Sequence, residues 1–138
     1  MSVTMECAAA SKEERPEALP KVLLVEDDAN ENLLYEQALT GQGYRVFSAH
    51  SGLEALDLMK RATPDLAVID ISMPGMDGIE LMNRMLATNH RLPVILNTAY
   101  SSYQEDFRAW SADACVVKSS DLSCLLNTIK RVLETRRR

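Results

Sequence analysis

The chain has 138 residues, enough for one domain with a buried core. Hydrophobic residues make up 46% and charged residues 25%, an ordinary globular balance, and no apolar run reaches membrane-spanning length. The net charge of −5 disfavours nucleic acid as the main ligand, because phosphate backbones select basic surfaces.

Residues 1–20 are small and charged and contain Pro16 and Pro20. They make a poor core and read as a flexible extension, with a short helix around Ser11 to Arg15. The segment lacks the apolar centre of a signal peptide, so a cytoplasmic location is expected. Cys7, Cys115 and Cys124 fit that location: they are odd in number, lack metal-ligand spacing and read as free thiols in a reducing compartment. The domain proper is expected over 21–138, ending in Arg136-Arg137-Arg138, which reads as a solvated helix end.

From Lys21 onward, two patterns alternate. Continuous apolar runs occur at Val22–Val25, Leu66–Ile69, Val94–Leu96 and Ala114–Val117. Runs of that length suit parallel strands covered on both faces. Tyr44 to Ser48 is interrupted by Arg45 and reads as an edge strand. Between the runs, apolar residues recur at helical spacing, weakly at Leu34 and Ala38 and more firmly at Leu53, Leu56 and Met59. The pattern continues at Ile79, Met82, Met85 and Leu86, and is clearest from Leu122 through Leu125, Leu126, Ile129 and Val132 to Leu133. Ser51 and Asp121 are placed to cap helices, and Gly41 with Gly43 to end the first one. Five strands alternating with five helices predict a doubly wound α/β domain.

In such open sheets, ligands sit beyond the carboxyl ends of the strands. Glu26 and Asp27 follow the first strand and Asp70 the third, in VIDISMPGMDG. Thr98 follows the fourth, in ILNTAY, and Lys118 the fifth, in CVVKSS. Each has a plain structural explanation taken alone: Asp27, Asp28 or Asn30 can cap the next helix, Pro74 and Gly75 can punctuate a turn, and Lys118 can be a solvated charge. Their joint placement at strand ends points elsewhere. Three carboxylates in one place repel one another unless one is protonated or a cation joins them. Mg²⁺ accepts one or two carboxylates plus a phosphate oxygen. Asp70 can then act as a nucleophile, while Lys118 and Thr98 meet the transferring oxygens.

With these residues in this order, Lys21 to Leu133 resembles a response-regulator receiver domain of two-component signalling. The resemblance implies a five-stranded flavodoxin-like sheet in the order 2-1-3-4-5 with five flanking helices. It implies that Asp70 takes a phosphoryl group from a phosphohistidine on a sensor histidine kinase or phosphotransfer protein. It further implies that Asp27, Asp70 and the Ser72 carbonyl ligate Mg²⁺, with Glu26 acting on the ion through water and with Thr98 and Lys118 contacting the phosphoryl group. Such domains catalyse only their own phosphorylation and dephosphorylation. Three positions depart from the pattern. Ser119 stands where a proline preceded by a cis peptide is usual, Cys115 at the aromatic switch position, and Ser111 at a common glycine. They bring into question the usual relay from Thr98 toward the fourth helix, fifth strand and fifth helix, and leave Tyr100, Tyr103 or Trp110 as substitutes.

The leading expectation is therefore a phosphorylation-controlled binding module acting on an unknown downstream protein, without nucleic acid or membrane as partner. No second domain follows the last helix, so the output is a change in affinity unless the chain is a piece of a longer protein. The alternative is a receiver-like interaction scaffold that works without phosphorylation, motivated by Cys115 and Ser119. An aspartyl phosphohydrolase would need a second acid two residues after the nucleophile, where Ser72 stands. Dinucleotide binding lacks its glycine-rich turn after the first strand.

Overall fold

A computed structural model of the chain describes residues 19–136. Residues 1–18, with Cys7 and the expected short helix, lie outside the described residues, as do Arg137 and Arg138. The order is β1 (Lys21–Val25), α1 (Ala29–Gly41), β2 (Arg45–Ala49), α2 (Gly52–Ala62), β3 (Leu66–Asp70), α3 (Gly78–Thr88), β4 (Val94–Thr98), β5 (Ala114–Val117) and α4 (Ser123–Arg136). All strand pairs are parallel, in the order β2-β1-β3-β4-β5. The doubly wound sheet is as expected, and the mixed strand β2 lies at its edge.

The helix count differs from expectation. Four α-helices, not five, occur among the described residues, and two short 3₁₀ turns at Ser101–Glu105 and Phe107–Ala109 connect β4 to β5. Aromatic residues do recur there at helical spacing, at Tyr100, Tyr103, Phe107 and Trp110, but Tyr100 and Trp110 are exposed, so the repeat gives a helix no continuous buried face.

The sheet separates two cores by strand alternation. Leu23, Val25, Ala67, Ile69, Val94 and Leu96 face α2 and α3, meeting Ala55, Met59, Met82 and Met85. Val22, Leu24, Leu66, Val68, Ile95 and Val116 face α1 and α4, meeting Tyr35, Leu39, Leu125, Ile129 and Val132. Fully burying each of the Val, Leu, Ile and Met side chains among them contributes about 1.5–3 kcal/mol.

Helix α1 is rotated from its expected face. Leu33 and Leu34 are exposed, while Asn32, Tyr35 and Leu39 are buried. The Asn32 amide donates to the carbonyls of Glu26 and Ala49, at 3.0 and 3.2 Å, and this polar anchor goes with the observed rotation. Leu53 of α2 is likewise exposed, with Ala55 and Met59 taking the core. Ser51 caps α2 as expected, and Asp121 Oδ1 accepts from the Ser123 amide at the start of α4.

Register brings the chemistry to one edge. Val25 pairs with Ile69, Asp70 with Asn97 and Thr98 with Val117. The residues that end or follow β1, β3, β4 and β5 therefore share the carboxyl side of the sheet.

Candidate phosphoryl-transfer site

After β1 the chain turns into α1 through Asp28, whose side chain accepts from the Glu31 amide at 2.9 Å. Capping thus falls to Asp28 and leaves Glu26 and Asp27 for the site. The Asp28 amide in turn donates to Glu26 Oε2 at 3.2 Å. After β3, Asp70 Oδ1 accepts from the Ser72 amide at 3.3 Å. The loop that follows closes on itself, with the Gly78 amide donating to the Ile71 carbonyl at 2.8 Å. A Cβ on Gly78 would lie 2.3 Å from the Asp70 carbonyl oxygen, so only glycine lets α3 start this close to Asp70.

Carboxylate oxygens of Glu26, Asp27 and Asp70 lie within 4.8 Å of one another. Glu26 and Asp70 are buried and Asp27 is exposed. Lys118 reaches in from the end of β5: its Nζ donates to Glu26 Oε1 at 2.9 Å and lies 3.5 Å from Asp70 Oδ1. Thr98 is fully buried; its Oγ1 accepts from the Tyr100 amide at 3.1 Å, and its carbonyl accepts from the Lys118 amide. The Thr98 and Lys118 backbones are therefore tied to one another, while the Thr98 side chain is held by Tyr100.

Electrostatics follows from burial. Desolvation pushes Glu26 up to about 7, with the Asp70 charge adding to the effect and the bond from Lys118 opposing it. Desolvation also raises Asp70, against the attraction of Lys118. Burial works against the Lys118 charge, but its bonds to Glu31 and Glu26 prevail and hold it above the ordinary lysine value. The pocket is thus short of positive charge, with one ammonium shared among several carboxylates.

Glu31 is the residue that strand-end reasoning passes over. Its Oε1 accepts from Lys118 Nζ at 2.7 Å, the shortest of the three carboxylate contacts to that lysine. Nothing in the sequence singles it out, because an acid in the first turn of a helix is accounted for by the helix dipole alone.

No cis peptide bond occurs among the described residues, so Lys118–Ser119 is trans. Cys115 is half-buried, packs against the α2–α3 core and has its thiol raised by burial. Of the three aromatics near it in sequence, Tyr103 packs on the same core, while Tyr100 and Trp110 are exposed. Gln104 donates to the Cys115 carbonyl at 3.0 Å, across the open edge of β5.

The family profile described as response regulator receiver domain matches residues 22–130. The chain belongs to that family. Among its relatives, sporulation initiation phosphotransferase F of Bacillus subtilis is 32% identical over 115 residues, which cover 82% of this chain and 93% of that protein. The transcriptional regulatory protein AfsQ1 of Streptomyces coelicolor is 44% identical over 81 residues, covering 59% of this chain but only 36% of that protein. This receiver domain thus spans nearly all of one relative and about a third of the other. Among solved structures, the response regulator protein TrrA of Thermotoga maritima, in complex with Mg²⁺–BeF, superposes with a TM-score of 0.80 at 34% identity, covering 83% of this chain and 99% of that one. A complex of the histidine kinase ThkA with TrrA matches with a TM-score of 0.78 at 35% identity, over 83% of this chain and 99% of the matched one. The protein is therefore a receiver domain of the response-regulator type. No helix among its described residues is long and apolar enough to cross a membrane.

Proposed function

We propose that Asp70 of this receiver domain accepts a phosphoryl group from a phosphohistidine of a sensor histidine kinase or phosphotransfer protein, with Mg²⁺ held by Asp27, Asp70 and the Ser72 carbonyl and, through water, by Glu26. One observation carries the reading: Asp70 ends a buried strand with its carboxylate beside two others and one shared ammonium. Three oxygen donors this close, two of them buried, fit a small hard cation. The Mg²⁺–BeF complex of TrrA and the ThkA–TrrA complex support the same assignment by similarity.

Bound Mg²⁺ supplies the positive charge that lets these carboxylates share a pocket with phosphoryl oxygens. The rest is the work of the chain. An Asp70 carboxylate oxygen attacks phosphorus; the P–O bond forms as the P–N bond breaks, and its electron pair returns to the imidazole. Lys118 meets the transferred oxygens with an ammonium, and the Thr98 hydroxyl donates to one of them. The reacting carboxylate belongs to the domain itself, so turnover is confined to its own phosphorylation and dephosphorylation. The added charge then shifts affinity for a downstream protein partner. We place this activity in the cytoplasm, in a receiver unit spanning 21–138 preceded by an extension over 1–20, with neither nucleic acid nor membrane as partner.

Incubation with acetyl phosphate and Mg²⁺, read by intact mass, tests the proposal. The parent chain is expected to gain one phosphoryl group and the Asp70→Asn variant none. A parent chain without an adduct, or an adduct that survives in the variant, overturns it.

A further inference from the structure

The shortest bond to Lys118 comes from a residue outside the strand-end set. Glu31 Oε1 is 2.7 Å from Nζ, against 2.9 Å for Glu26 and 3.5 Å for Asp70. Glu31 sits in the first turn of α1, and its side chain is partly open to solvent, whereas those of Glu26 and Asp70 are buried. The lysine is therefore strung between an inner pair of acids and an outer one.

Each state of the proposed cycle asks something different of that ammonium. Before phosphorylation, a divalent cation entering among Glu26, Asp27 and Asp70 repels it. An acid farther out gives it somewhere to stand, and so favours cation entry. After phosphorylation, the ammonium must turn to the phosphoryl oxygens, and the same outer acid competes for it. We infer that Glu31 is a positioning residue that draws Lys118 outward, favouring the cation-loaded acceptor and weakening the lysine's hold on a phosphoryl group. The inference rests on the proposed roles of Asp70 and Lys118 and adds to them a residue that tunes the balance between the two states.

Two effects of opposite sign follow on removing the Glu31 charge, a combination that mere loss of helix stability does not produce. Calorimetric titration of the intact chain with Mg²⁺ alone, and then with beryllofluoride at saturating Mg²⁺, reads both. For Glu31→Gln, Mg²⁺ is expected to bind about two- to fivefold more weakly and beryllofluoride about two- to fivefold more tightly, the range open to a partly exposed ion pair. Glu31→Asp keeps the charge in the first helical turn but retracts it by one methylene, and is expected to behave like Glu31→Gln. Variants that match the parent in both titrations overturn the inference, as do shifts in the same direction. An aspartate variant that alone matches the parent overturns it too, because long-range charge would then suffice without the contact. A parent chain that binds no beryllofluoride with Mg²⁺ overturns instead the proposed function beneath it.

Discussion

On one side of the site, the loop after β1 and the end of β3 bring Glu26, Asp27 and Asp70 together as the receiver pattern requires. On the other, β4 and β5 are joined by two 3₁₀ turns in place of a helix, and Cys115 and Ser119 replace an aromatic and a proline. The contrast separates two jobs that one sheet edge usually combines. Gathering carboxylates needs only strand ends in register and a tight loop, here secured by Gly78 against the Asp70 backbone. Relaying the event needs a packed, bistable element. The β4–β5 connection has little to build one from, since Tyr100 and Trp110 are exposed and only Tyr103 of the three packs on the core.

If that division holds, substitutions on the two sides should differ in both size and metal dependence. The largest effect is expected from Lys118→Ala, which leaves Glu26 and Asp70 buried without their cation. Breaking a buried pair costs roughly 3–5 kcal/mol, and the partly open lysine argues for the lower end. Urea unfolding should show the loss in chelator and a clear recovery in Mg²⁺. An equal loss in both would mean that the ammonium and the metal do not share a role.

Gly78→Ala should come next, at about 1–3 kcal/mol from overpacking against the Asp70 carbonyl, with Mg²⁺ binding weakened as the acceptor loop shifts. Unchanged stability and unchanged Mg²⁺ affinity would remove the glycine from the account.

A pH-dependent effect attaches to Glu26. Its folded value of about 7 stands above its ordinary 4.5, so the metal-free fold binds a proton in that interval that the unfolded chain does not. The sign follows from linkage: the contribution is fully present below about 4.5 and is lost as pH rises through about 7. Thermal unfolding in chelator should therefore show a midpoint that falls across this interval, and saturating Mg²⁺ should flatten the slope. A midpoint that rises with pH in chelator contradicts the assignment.

The smallest effect is expected on the other side. Trp110→Ala should change stability by no more than about 0.5 kcal/mol and leave phosphorylation by acetyl phosphate untouched, because the side chain is exposed. A slowed phosphorylation rate would tie the two sides together and break the comparison.

The same contrast governs what could be read from residues alone. Four of the five strands are continuous apolar runs, and doubly wound topology delivers whatever follows them to a common edge, so Glu26, Asp27, Asp70, Thr98 and Lys118 were legible as a set. The expected fifth helix was carried over from alternation; the aromatic spacing at Tyr100, Tyr103, Phe107 and Trp110 leaves Tyr100 and Trp110 exposed rather than burying a helix face, and 3₁₀ turns take its place. The rotation of α1 was hidden because Asn32, a polar residue, holds the inner face through two backbone carbonyls. Glu31 was hidden because its role depends on a lysine 87 positions away.

The most direct test of the central claim is chemical trapping of the acceptor. Reduction of the acetyl phosphate-treated chain with borohydride converts an aspartyl phosphate to homoserine, which peptide mass mapping locates. Homoserine at position 70, formed only when Mg²⁺ was present, is the predicted result. Homoserine at position 27, or conversion at position 70 without any divalent ion, would contradict it.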